Sequence, residues 1–425
     1  MATTVWQINR NCLFTTKARE KETDNPKFQD HLEGKEMELL SAMTKSQTLE
    51  NIVQGKDKPV EEGDVPDEIP EWFDIERFED GKKFVQKYLF CIALSQFLSL
   101  FAGLSFNRLL KPLIYSKNSE TPKKALKRYA LTSIHVNSWC IGNVFENNNP
   151  ARKSIQYVRS MHSKYAKLFN KDSEKVDNAT VYSIYGVKPS SKYLDTMKED
   201  IVDKSTGIRS PQYCKVCSSM CGLSVPFDSP DENNCYLSQT DMSFTQFGFM
   251  GLLVMYPEKF GIHYPVKREL DGFIHMWKVF GYMLGIKDEY NFCLDDNYED
   301  VRQLSFETFE HCLKYTILGS TEDYEFMASA LVEGMARSRP GLTFQSCSLY
   351  LFDIVNWDMP RFSNIIDNRG LTYFKRMKFV FQTLLQYRAC QWVLIGFHKL
   401  YVWWMRRFMF RSKGDYKAAI KAFRD

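Results

Sequence analysis

Apolar residues recur at helical spacing through most of this chain. The sharpest case is Ile155, Val158, His162, Tyr165 and Phe169. Steps of three, four, three and four residues put all five side chains on one helix face. A helix is therefore predicted over Ala151–Phe169, with a histidine in the middle of its apolar stripe. The helix before it is predicted over Lys124–Phe145, and Glu146-Asn-Asn-Asn-Pro150 breaks the two apart. On that earlier helix Arg128, Thr132 and His135 lie one turn apart. A neutral imidazole pointing into a core, opposite a helix that presents Arg and Thr, is a way to hold a buried metal cofactor.

The same pattern organises the rest of the chain. Tyr88 to Asn107 is a run of twenty residues without a charge, just long enough to span a bilayer. Ser95, Gln96, Ser99, Gly103 and Ser105 dilute it and favour a buried core helix. Asp241–Tyr256 is almost wholly apolar beyond its first turn, with Asp241 as the expected N-cap. Lys267–Gly285 carries the stripe Leu270, Phe273, Trp277, Phe280 and Leu284. Ser305–Leu318, Glu322–Arg337 and a long segment from Thr372 onward continue the theme. Neither alternating strand patterns nor repeats occur, so the fold class expected is all-α.

Three regions follow. Residues 1–65 are polar and predict a disordered or loosely helical arm. Residues 66–375 form the helical body, opened by Pro66-Asp-Glu-Ile-Pro-Glu-Trp-Phe73 and interrupted by a polar insertion at 170–238. Residues 376–425 stand apart, because Phe379–Phe410 mixes Trp392, Phe397, Trp403 and Trp404 with Arg388, Lys399, Arg406 and Arg407. Its longest charge-free stretch, Ala389–Phe397, is too short to span a membrane. Rings mixed with cations suit a helix lying in a membrane interface; the alternative is a terminal core helix.

Composition adds a few bounds. The chain has 425 residues, 25% charged and 44% apolar, which is a globular balance. Aromatics at 15% call for a large core, an apolar cavity or a membrane interface. The net charge is +4, and no basic stretch interleaved with aromatics precedes the last fifty residues, so no nucleic-acid partner is expected. Eleven scattered cysteines read as reduced thiols in a protein facing the cytosol. Cys214, Cys217, Cys221 and Cys235 are either a zinc site or loop thiols; the set lacks a second paired CxxC. The N-terminus has no secretory pattern, and Asn178-Ala-Thr180 is then a chance glycosylation match.

Of the seven histidines, His31 falls in the arm, His263 in a loop and His398 in the tail, while His275 and His311 point off their apolar stripes. His135 and His162 face a core. A buried Arg128 needs an anionic partner, and no carboxylate sits at a matching spacing on either helix. Porphyrin propionates would supply one. That favours haem with one axial histidine over a bare metal ion, which would want further His or carboxylate ligands.

Arg128, Thr132 and, thirty residues later, His162 resemble the pattern of ER-bound oxygenases of the MpaB type and of bacterial rubber oxygenases (latex-clearing proteins). Leu237-Ser-Gln-Thr-Asp-Met-Ser-Phe-Thr-Gln246, the Trp helix Phe273-Ile-His-Met-Trp-Lys-Val-Phe-Gly-Tyr-Met-Leu-Gly-Ile286 and Asp288-Glu-Tyr-Asn291 are similar to that family as well. The resemblance covers roughly residues 66–300. It implies a globin-like helical core holding haem b, with His162 as the iron ligand and Arg128 and Thr132 as the catalytic candidates beside it. His135, one turn beyond Thr132, is either a distal ligand or oxygen-binding donor, or a core histidine bonded to backbone. The implied activity is oxidative cleavage of an isoprenoid or lipid-like substrate with dioxygen, at the cytosolic side of an intracellular membrane such as the endoplasmic reticulum. Two positions depart from the family: Leu131 stands where rubber oxygenases place a distal Lys, and Leu110-Lys-Pro-Leu-Ile114 offers no acid where a catalytic base would sit. A haem protein without oxygenase activity, ligated by both His135 and His162, and a membrane-associated helical scaffold are the other readings.

Overall fold

The computed structural model describes residues 47–204, 235–336 and 341–408. Among them the chain is helical, with one isolated bridge, Pro59 to Ser238, and no strand. The longest helix, α1 (Ile75–Gly103), is capped by Asp74, whose carboxylate accepts from the Glu76 and Arg77 N–H groups, and is kinked at Tyr88. It is long and apolar enough to cross a membrane, yet 61% of its most apolar window is buried inside the protein, as a core helix requires. There follow α2 (Asn107–Ser116), α3 (Pro122–Ile141) and α4 (Pro150–Lys171). The predicted breaker before α4 is its start signal: Asn149 caps it and Pro150 occupies the first helical position.

After residues 205–234 come α5 (Gln239–Met255) and α6 (Lys267–Met283). Ser238, not Asp241, caps α5. Asp241 sits at the third helical position and closes a capping box. The predicted Ser305–Leu318 helix starts earlier, as α7 (Tyr298–Thr308), and carries a π turn at Phe309–Leu313. The remaining helices are α8 (Glu322–Ala336), α9 (Phe344–Ile354), α10 (Asn368–Gln382) and α11 (Arg388–Phe408).

Helices α1 and α6 touch backbone to backbone. A Cβ on Gly81 would stand 2.3 Å from the Gly272 carbonyl oxygen, and one on Gly272 would stand 2.6 Å from the Gly81 nitrogen. No residue larger than glycine fits at either point. His275, one turn along α6 from that contact, is fully buried rather than turned outward. Helix α6 is buried on nearly every side, so the face opposite its apolar stripe also meets protein. His275 Nδ1 donates to Asp296 at 2.8 Å, and its Nε2 accepts from the Asp74 N–H at 3.0 Å. Phe73 stacks on the ring and Trp72 meets its edge.

Three predicted boundaries move. The body begins at Gln47, not at Pro66: Gln47 donates to the carbonyls of Glu289 and Asn291, and Thr240 donates to that of Ile52. Met1–Ser46 lies outside the described residues. In the polar insertion, residues 170–204 fold into short helices that bury Val176, Val181, Leu194, Met197 and Ile201. Their apolar residues are few but helically spaced, which the overall polarity of the region conceals. Last, the boundary at 376 falls inside α10, which buries Met377 and Phe381, and Leu385 and Ile395 follow them inward. The tail is continuous with the body on one side.

Gly272→Ala is expected to destabilise the fold by about 3 kcal/mol, because the roughly 1 kcal/mol gain in helix propensity is small beside the backbone clash. Urea unfolding of the variant against the parent measures it, and an unchanged midpoint would show that α1 and α6 do not need this contact.

Candidate functional site

A cavity of about 830 Å³ opens between α1, α2, α3, α4 and α5, with Trp277 of α6 and Trp403 of α11 also in its wall. That size lies within the roughly 300–1,000 Å³ typical of small-molecule and cofactor sites. Its lining is mainly apolar: Leu89, Phe97, Phe106, Phe244, Phe249 and Leu252 are representative. High aromatic content thus serves both a core and a cavity.

Arg128, Thr132, His135 and His162 all line this one cavity. Helices α3 and α4 bring them there as the spacing predicts, α3 presenting the first three and α4 presenting His162. Their environments differ. Thr132 is exposed on the wall, and its hydroxyl donates to the Arg128 carbonyl at 3.3 Å. His135 is buried in the α3–α4 contact. Its Nδ1 lies 2.8 Å from Ser154 Oγ, an oxygen that also accepts from Trp139 Nε1 at 2.9 Å, and its ring stacks on Tyr157. The bond to Ser154, rather than to backbone, ties this side of His135 into the helix interface.

His162 is placed otherwise. Its Nδ1 is buried and has no hydrogen-bond partner. Leaving a buried polar atom unpaired costs about 1–3 kcal/mol. The buried histidines His135 and His275 avoid that cost through Ser154, Asp296 and the Asp74 N–H. Burial, with the positive charge of Arg128 as a second cause, pushes the His162 pKa down to about 4. Burial brings His135 to about 4 too. Both imidazoles are neutral at pH 7, with a lone pair to offer. Arg128 is half-buried beside them, and among the described residues no carboxylate lies in ion-pair range of it.

Another charged pair in the wall has no sequence signal. Arg108 of α2 clasps Asp241 of α5 with two bonds, Nε to Oδ1 at 2.7 Å and Nη2 to Oδ2 at 2.9 Å, and donates to the Cys235 carbonyl. Burial works against the Arg108 charge, but Asp241 outweighs it and the guanidinium pKa is raised. Both residues line the cavity as a neutralised pair. The two lie 133 positions apart, a distance no local pattern reveals.

Among the described residues no cluster of three or more His, Cys, Asp or Glu could hold a bare metal ion. Cys235 donates to the Lys56 carbonyl, while Cys214, Cys217 and Cys221 lie outside the described residues. Cys91, Cys140, Cys293, Cys312 and Cys347 are buried free thiols. A cofactor that brings its own equatorial ligands needs only one imidazole and room. His162 and the cavity fit both needs, and Arg128 at the same wall has no carboxylate in ion-pair range among the described residues. No protein-family model, no curated protein and no solved structure matches the chain.

The lowered histidine pKa values imply a pH dependence. An unfolded imidazole takes up a proton near 6.5, whereas folded His162 and His135 do so only near 4. The unfolded chain binds more protons in that window, so stability is full above about pH 6.5 and falls as pH drops toward 4. His162→Phe should therefore lose less thermal stability than the parent between pH 7 and 4.5. Parallel loss in both proteins would contradict the placement of His162.

Proposed function

We propose that the protein is a haem b-dependent oxygenase that oxidises or cleaves a hydrophobic, isoprenoid or lipid-like substrate with dioxygen at a membrane surface. One observation carries this reading. His162 is a half-buried, neutral imidazole in the wall of a large apolar cavity, its Nδ1 buried without a hydrogen-bond partner, beside a half-buried Arg128 with no carboxylate in range among the described residues. The resemblance to MpaB-type and rubber oxygenases, at Arg128, Thr132, His162 and the helix around Trp277, supports it, and the globin-like arrangement of the core belongs to the same proposal.

His162 would ligate the iron, and Arg128 would face the anionic edge of the macrocycle, where a charge-assisted bond stabilises both groups. When bound, haem supplies the redox chemistry that activates dioxygen. This chain's own residues do the rest. Leu89, Phe97, Phe244 and Phe249 give an apolar channel that orients a chain-like substrate and excludes water. With Leu131 half-buried on α3 in place of a lysine, that position supplies no competing ligand to the iron. Thr132 offers a hydroxyl at the wall, held by its own helix backbone. Arg108 and Asp241 neutralise each other, so neither leaves a bare charge against an apolar substrate. His135 is buried in the α3–α4 contact with its ring stacked on Tyr157, whereas His162 is half-buried at the cavity wall, so the reading takes His162 as the single histidine ligand.

Full-length protein expressed with ample haem precursor should show a Soret band, and His162→Ala should lose it while keeping the parent's helical circular-dichroism signal. A colourless parent protein, or an unchanged Soret band in the variant, would overturn the assignment.

A further inference from the structure

Helix α11 turns one side to the body and an apolar side away from it. Gln391 and Ile395 face the body, while Trp392, Val393, Phe397, Leu400 and Trp403 are 57–73% exposed on another side. Surface helices ordinarily present polar residues there, and a contiguous exposed apolar face of this kind marks an interaction surface. Its chemistry narrows the partner. From Asn368 to Gly414 the chain has ten Lys and Arg and no Asp or Glu. Lys375, Arg376 and Arg388 are exposed next to the exposed rings of Phe379 and Tyr387. Rings with cations and no acid fit anionic lipid headgroups above an acyl layer. A protein partner would be expected to meet acids among the cations as well.

Trp403 belongs to this exposed face and also to the wall of the cavity. The cavity therefore reaches the surface where the apolar face lies. We propose that the cavity is filled from an anionic bilayer: α11 lies on the membrane surface, and an apolar ligand passes from the lipid into the cavity past Trp403 without crossing water. This rests on the reading of the cavity as a site for an apolar substrate, but it does not need the haem.

The test uses the full chain, vesicles of phosphatidylcholine with or without phosphatidylserine, and parinaric acid methyl ester, a neutral fluorescent polyene. The protein should float with the phosphatidylserine vesicles and stay behind with phosphatidylcholine alone. It should draw the polyene from the anionic vesicles and also bind it when delivered from cyclodextrin. The double variant Trp392→Glu/Phe397→Glu, outside the cavity wall, should keep cyclodextrin-delivered binding but lose flotation, and its transfer from vesicles should slow about tenfold or more. Equal flotation with both vesicle types, or equal transfer by the variant and the parent, would overturn the proposal. So would failure of the parent to bind the polyene from either source. A colourless protein that passes this test would sink the haem assignment and leave the lipid route standing.

Discussion

The backbone contact of α1 with α6 at Gly81 and Gly272 is the constraint on which the site depends. Two helices this close leave no room for side chains between them at the crossing. Helix α1 must therefore turn its remaining residues elsewhere, and Val85, Leu89, Ile92, Gln96 and Leu100 line the cavity. From α6, Trp277 reaches the same cavity, stacked on Phe249. On the other side of α6, His275 binds Asp296 and the N-cap of α1, so the register of the pair is held by a polar cluster as well as by close packing. Helices α3 and α4 supply the part of the wall that carries Arg128, Thr132, His135 and His162.

Within that frame, three histidines show what polar satisfaction does. His275 and His135 have partners for their Nδ1 atoms and act as parts of the scaffold. His162 has none. The same burial that makes its unpaired nitrogen costly also keeps the ring unprotonated. Two histidines are thus satisfied, while the His162 Nδ1 stays unpaired beside an Arg128 with no carboxylate in range among the described residues.

Much of this could be read in the chain. The 3,4-spacing around His162 and the one-turn steps of Arg128, Thr132 and His135 placed four side chains on facing helices, and they do line one cavity. The Asn-Pro sequence before α4 marked its start because capping is a local interaction. Contacts between distant segments left no such trace. The clasp of Arg108 and Asp241, the docking of Gln47 and the burial of His275 each depend on which element arrives at a face, and periodicity within one helix does not specify that. His275 shows the limit most clearly: an angular offset from an apolar stripe means solvent only when one side of the helix is wet. The Gly81–Gly272 contact is silent in sequence for the same reason, since a lone glycine in a helix has no local mark of what crosses it.

On the proposed reading, His162 alone ligates iron in this cavity. Electron paramagnetic resonance of the ferric, haem b-loaded full-length protein tests it most directly, because the spin state reports how many strong axial ligands the iron has. A high-spin signal that carbon monoxide binding after reduction confirms as an open sixth position is the predicted result. A low-spin signal of two axial imidazoles, converted to high spin by His135→Ala, would contradict it and make the protein an electron carrier rather than an oxygenase.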